Sequence, residues 1–191
     1  YAGEMVGCFG DVECFSLSGT KVLTSAEGGV ATSNDETLME RMNLGRNYGA
    51  GNDYNCHYIG LNGKMSEFHA VLAIEGLLLL TDFIQARNRF AALYRERLSE
   101  IPGITFQYVP DKHVSTYKDF ALIIDKEVFG MDRDALLECL QNEHIYCKRY
   151  FYPPLHEMTA YQAVNHRAES LENTVKVANN IICLPIYSHM N

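Results

Sequence analysis

One sustained helical period governs how this chain can fold. From Glu67 the apolar residues Phe68, Val71, Leu72, Ile74 and Leu78 recur at helical spacing. Beyond Thr81-Asp82 the spacing continues through Phe83, Ile84, Phe90, Leu93, Tyr94 and Leu98. Ser66 suits the N-cap, and Ile101-Pro102-Gly103 ends the run. A rod of that length, whole or broken, links two lobes. Before it, residues 5–10 and 12–17 alternate apolar with small or polar side chains, as strands do. Glu27-Gly28-Gly29 reads as a turn, residues 30–33 as a returning strand, and Asn34-Asp35 as the cap of a helix carrying Leu38, Met39 and Met42. Residues 47–62, rich in Gly, Asn and Tyr without a period, read as a long functional loop. After the rod the pattern changes to strand, helix, strand, helix. Residues 120–124 form an apolar strand, and Asp132 caps a helix with Leu136, Leu137 and Leu140. Residues 145–152 are extended, 173–180 helical, and 181–184 a closing apolar run. The expected class is α/β: the end of a large domain over residues 1–65, a linking helix over 66–100 and a small α+β domain over 101–191.

Composition narrows the partners. With 24 acidic against 16 basic side chains, a net charge of -8 and no basic cluster, the chain is unsuited to duplex nucleic acid. No apolar run approaches the roughly 20 residues of a membrane-spanning helix. The six cysteines show neither a CxxC pair nor zinc spacing, so no metal site is expected. Scattered thiols without a leader segment read as reduced, buried side chains of a cytoplasmic protein. The chain opens at Tyr1 rather than Met, and we read it as an internal piece of a longer polypeptide.

The segment that carries chemistry is Phe15-Ser16-Leu17-Ser18-Gly19-Thr20-Lys21, followed by Glu27-Gly28-Gly29. A lysine after a strand and a small-residue turn is placed to point into a cleft. If desolvated there, its amine becomes nucleophilic towards carbonyls. The hydroxyls of Ser16, Ser18 and Thr20 suit a phosphate. A Walker loop is excluded, because Thr20-Lys21-Val22 lacks its glycine spacing. On these features alone, a solvated surface lysine remains the open alternative.

The lysine segment resembles that of the DegT/DnrJ/StrS family of fold-type-I, pyridoxal-phosphate-dependent nucleotide-sugar aminotransferases. The resemblance continues through Arg46-Asn47-Tyr48-Gly49 and Gly60-Leu61-Asn62-Gly63-Lys64-Met65-Ser66-Glu67. It extends to Lys148-Arg149-Tyr150-Phe151-Tyr152-Pro153-Pro154-Leu155-His156 and Leu184-Pro185-Ile186-Tyr187. It implies a large domain built on a mixed, mostly parallel sheet, with pyridoxal 5'-phosphate as cofactor. By that resemblance Lys21 is the Schiff-base lysine and Ser16 the hydroxyl that binds the cofactor phosphate. Asn62 matches an asparagine that reaches the phosphate from the neighbouring subunit, which implies a homodimer with shared active sites. Tyr48, Tyr54, His57, Tyr58 and Lys64 either face the substrate or pack the loop, and a diphosphate favours Lys64. His156 is a substrate contact or a turn histidine. Lys148 and Arg149 bind a donor carboxylate or lie at a strand edge, the edge being preferred for at least one.

The implied reaction moves an amino group from an amino acid, glutamate, to a keto group of a nucleotide-linked deoxy sugar, for amino-sugar and polysaccharide assembly. The family's acid opposite the pyridine nitrogen and its stacking aromatic have no match here. Leu61 and Gly63-Lys64 replace the usual aromatic and arginine neighbours of the asparagine. A sugar dehydratase of the same fold carries histidine in place of Lys21, which counts against it. A non-catalytic, regulatory protein on the same scaffold is the other alternative, and a cofactor-free binding module a third. On its own, the region before about Asn47 is expected to be poorly stable, and the part after Ile101 to fold more readily.

Overall fold

The computed structural model describes residues 3–53, 55–164 and 171–190. The chain divides into two compact units, Tyr1–Phe83 with Asp111–Val114, and Ile84–Pro110 with Ser115–Asn191. In the first unit β1 (Glu13–Ser16) pairs antiparallel with β2 (Gly29–Thr32), in the register Ser16↔Gly29. Residues 5–10, expected as a strand, form turns and bends instead. Gly7 explains this in part: its φ of 109° is left-handed backbone that no strand uses. Helix α1 (Glu36–Gly45) starts at Asp35, whose carboxylate accepts from the Leu38 N–H at 3.1 Å.

Helix α2 (Glu67–Leu98) runs unbroken for 32 residues and contributes to both units. Ser66 Oγ accepts from the His69 N–H at 3.4 Å, the bond expected of its N-cap. Within the first unit, the first half of α2 leaves Phe68 86% and Leu78 74% exposed. None of the described helices is long and apolar enough to cross a membrane.

The second unit builds a three-stranded antiparallel sheet in the order β3 (Ile104–Phe106), β4 (Phe120–Ile124), β5 (Ile181–Leu184). Strand β4 is central and alternates strictly, with Phe120, Leu122 and Ile124 buried. Against them pack Ala91, Tyr94 and Leu98 of α2 and Ile182 of β5. Tyr94 stacks on Phe120 at 5.0 Å and donates its hydroxyl to the Pro185 carbonyl at 2.8 Å. After the single-turn α3 (Lys126–Phe129), helix α4 (Arg133–Asn142) opens at Asp132, which accepts from the N–H groups of Asp134 and Ala135 at 2.9 Å. Helix α5 is Glu172–Asn180. The extended run expected over 145–152 makes one bridge, Lys148 with Cys183.

The α/β class holds, with all three strand ladders of the described residues antiparallel. The thiols differ from expectation. Cys183 is buried and Cys147 half-buried, whereas Cys8, Cys14, Cys56 and Cys139 are exposed, all of them free. Cys14 lies on a two-stranded ribbon, which is too small to bury its side chains.

Candidate active site

Strand β1 ends at Ser16, and the chain then loops through residues 17–28 before returning as β2. Backbone and hydroxyl bonds close that loop. The Leu17 N–H donates to the Gly28 carbonyl at 2.9 Å, and the Leu17 carbonyl accepts from the Ser25 N–H at 2.8 Å and from Thr24 Oγ1 at 3.2 Å. Ser25, 0% exposed, donates its hydroxyl to the Glu27 carbonyl at 2.9 Å. Leu17, 4% exposed, is the apolar plug beneath. Gly28 is needed where it stands: its φ is 139°, and a Cβ there would meet Met65 and Ser25.

Inside this frame a tight turn, with the Lys21 N–H bonded to the Ser18 carbonyl at 2.9 Å, sets Lys21 half-buried near the loop's apex. Ser16 Oγ is exposed and lies 3.5 Å from the Ser18 N–H. One loop therefore presents a primary amine with the hydroxyls of Ser16, Ser18 and Thr20. That donor set suits a ligand bearing an aldehyde and a phosphate: the amine can condense with the first, and the hydroxyls can bond the second. The residues present thus fit pyridoxal phosphate.

A second cluster forms where residues 45–64 fold back on themselves. Asn47 and Asn62 face each other in an isolated antiparallel bridge. The Tyr48 N–H donates to the Leu61 carbonyl at 2.8 Å, and the Gly63 N–H to the Arg46 carbonyl at 2.8 Å. Tyr48 takes φ 63°, rare for a bulky side chain, and Gly49 follows at φ 73° with no room for a Cβ beside the Tyr58 carbonyl. Lys64 Nζ donates to Asn47 Oδ1 at 2.9 Å and stands 4.6 Å from the centre of the Tyr48 ring. Both partners are neutral, so they orient the ammonium without offsetting its charge. Tyr58 donates its hydroxyl to the Arg41 carbonyl, and the His57 N–H bonds the Gly49 carbonyl, so both are part of the loop's own frame. Tyr54 lies outside the described residues.

His156 belongs to the second unit, in a 3₁₀ turn over Leu155–Glu157, with Nε2 3.8 Å from Glu157 Oε1. Lys148 pairs through its backbone with the edge strand β5, while its ammonium donates to the Tyr150 hydroxyl at 2.8 Å. Arg149 reaches Asp134 at 3.1 Å.

The structure thus brings Ser16 and Lys21 onto one loop, joins Asn62, Tyr48 and Lys64 in another, and sets His156 in the second unit. Sequence reasoning missed Ser25, the buried brace of the lysine loop, and the Asn47 side chain that orients Lys64. The signal for Asn47 was its place in the Arg46-Asn47-Tyr48-Gly49 motif. Ser25 carried no signal, because its burial and its bonds to the Leu17 and Glu27 carbonyls exist only in the closed loop.

Comparison with known proteins places this arrangement. The chain is 30% identical to the dTDP-4-amino-4,6-dideoxy-D-glucose transaminase of Shigella dysenteriae, covering 95% of this chain and 49% of that protein. It is 32% identical to the GDP-perosamine synthase of Vibrio cholerae, covering 87% and 44%. Among solved structures, S. venezuelae DesV in complex with a ketimine intermediate superimposes with a TM-score of 0.90 at 26% identity, covering all of this chain and 50% of that one. DesI in the presence of its TDP-sugar product gives 0.86 at 29% identity, covering 97% and 47%. The chain spans about half the length of the curated relatives it matches. The model of the DegT/DnrJ/EryC1/StrS aminotransferase family matches residues 1–191, and the chain belongs to that family.

Proposed function

We propose that the protein containing this chain is a sugar aminotransferase. It transfers an amino group from an amino acid, glutamate in our reading, to a keto carbon of a nucleotide-linked deoxy sugar. The observation that carries this reading is the loop, closed over the buried Leu17 and Ser25, that holds Lys21 half-buried and starts at the hydroxyl of Ser16. The names of the relatives, a dTDP-amino-sugar transaminase and a GDP-perosamine synthase, support the substrate class.

Pyridoxal phosphate, when bound, supplies the electron sink that this exchange requires. Lys21 is its covalent anchor and moves the proton at Nζ. Ser16 Oγ donates to its phosphate. Asn62 of the partner subunit reaches the same phosphate, so the active unit is a homodimer with shared sites. The full exposure of Ile59 and the 76% exposure of Leu61, next to Asn62, support a covering partner at that loop. Lys64, oriented by Asn47 and Tyr48, takes the diphosphate of the nucleotide. The proposed domain division follows the same plan: cofactor chemistry in residues 1–65, a linking helix over 66–100, and a small domain after it. The free thiols fit a cytoplasmic setting.

Borohydride reduction of the complete, cofactor-loaded protein, followed by peptide mapping, tests the assignment. The cofactor should be fixed to Lys21. A label on any other lysine would overturn it.

A further inference from the structure

Between Lys148 and the 3₁₀ turn that carries His156, the chain has no strand or helix to hold it. Charged side chains gathered around one aromatic ring do so instead. Arg133, the first residue of α4, is 2% exposed. Its guanidinium donates to the carbonyls of Ala178 at 3.1 Å and Ile181 at 3.0 Å, and through Nε to Asp134 Oδ1 at 2.7 Å. The same carboxylate oxygen accepts from Arg149 at 3.1 Å. The two guanidinium carbons lie 5.0 Å (Arg133) and 5.8 Å (Arg149) from the centre of the Tyr152 ring.

Each arginine is attracted to the electron-rich ring, but two cations at one ring repel each other. Asp134, bonded to both, offsets that repulsion and fixes their spacing. From Tyr152 the chain passes through Pro153 and the buried Pro154 directly into the turn. Two prolines remove most of the backbone freedom in between, so an orientation set at Tyr152 is carried to His156. Pro154 and Leu155 also line a cleft of about 490 Å³ together with Ala178 and Ile181, the residues whose carbonyls Arg133 binds. The arginine therefore ties down the Ala178 and Ile181 wall of that cleft.

We propose that Arg133, Asp134 and Arg149 clamp Tyr152 so that His156 meets a hydroxyl of the sugar-nucleotide substrate. These are positioning residues, acting through His156. The proposal rests on the sugar-aminotransferase reading and on His156 as a substrate contact.

The test uses the complete, cofactor-loaded protein and its affinity for dTDP-4-amino-4,6-dideoxy-D-glucose and GDP-perosamine. Tyr152→Leu and Asp134→Asn should each weaken binding of the accepted sugar nucleotide about three- to tenfold, raising KM with kcat little changed. Tyr152→Phe keeps the ring and should bind as the parent does. In a His156→Ala background, neither Tyr152→Leu nor Asp134→Asn should weaken binding further. Asp134→Asn keeps the side-chain shape at an exposed position, so it reports even if Tyr152→Leu does not fold. Equal losses with and without His156, or parent-like binding by Asp134→Asn, would overturn the clamp. Parent-like binding by His156→Ala would overturn the histidine contact, and the clamp with it, while leaving the aminotransferase reading intact. If the unmodified protein binds neither sugar nucleotide, the clamp as proposed fails, and the borohydride label on Lys21 decides the aminotransferase reading separately.

Discussion

The two units keep their shape by different means. The second buries a continuous apolar cluster, with Phe120 2% and Ile124 and Ile182 0% exposed, beneath a sheet whose central strand alternates without a fault. In the first, Leu17 is the one buried apolar side chain among the described residues. Hydrogen bonds from Ser25, Thr24 and the backbone hold its lysine loop, and interlocked turns hold its asparagine loop. Yet the first unit carries nearly all the groups assigned to chemistry. Loops closed by hydrogen bonds can place polar side chains without burying them in apolar surroundings, whereas a packed strand gives half of its side chains to the core. On the proposed assignment, one unit is organised for chemistry and the other for packing.

The largest expected effects should separate along that line. Lys21→Ala should lower transamination by about ten-thousandfold, because anchor and proton carrier are lost together. It should leave the unfolding free energy within about 0.5 kcal/mol, since no core is touched. Lys21→Arg should fail as well, because a guanidinium does not condense with an aldehyde. Ile182→Ala should do the reverse, destabilising by about 2–5 kcal/mol through the cavity it leaves, with the activity of the folded fraction retained. Steady-state rates and denaturant titrations of both variants in the complete protein check this. If Lys21→Ala unfolded the protein, the contrast between the units would break.

A smaller effect sharpens the same contrast. If the first unit completes its site only across a dimer, defects in Lys21 and Asn62 should complement each other. After subunit exchange between Lys21→Ala and Asn62→Ala proteins, half of the dimers are mixed and one of their two sites keeps both residues. About a quarter of parental activity should return. With exchange confirmed by mass spectrometry, a mixture no more active than either parent would make the site internal to one chain.

How far the sequence was readable follows this division too. Strand β4, helix α2 and the caps at Asp35, Ser66 and Asp132 were legible because periodicity and caps are local signals. The lysine loop was legible as a motif, but its brace was not. Ser25 works through Leu17 and Glu27, contacts that exist only after the loop has closed. Residues 5–10 looked like a strand by alternation, which carries no information about whether a neighbouring strand exists to pair with. The clamp on Tyr152 was equally hidden. Arg133 follows a cap residue, where sequence alone suggests a solvated cation, and tertiary contacts bury it. Exposure of the cysteines was misjudged for the related reason that burial depends on layers no single strand reveals.

The smallest expected effect concerns the packed unit. Burial, and then the nearby Cys183, push the Cys147 thiol up to about 11 from an ordinary 9.0. Burial also raises Cys183 and Tyr94. A thiol with a raised pKa keeps its proton in the folded chain at pH values where the unfolded chain has lost it. Its contribution to stability is therefore complete below pH 9.0 and drains away as the pH climbs towards about 11. Thermal unfolding of the complete protein should show the midpoint of this unit falling across that window. Cys147→Ala should make the fall shallower without abolishing it, because Cys183 and Tyr94 still titrate. At pH 8, alkylation should mark the exposed Cys139 of the same unit quickly and Cys147 slowly, since the thiolate is the reacting form. Rapid labelling of Cys147 at that pH would show that the core opens readily, and the second unit would then be no more closed than the loops of the first.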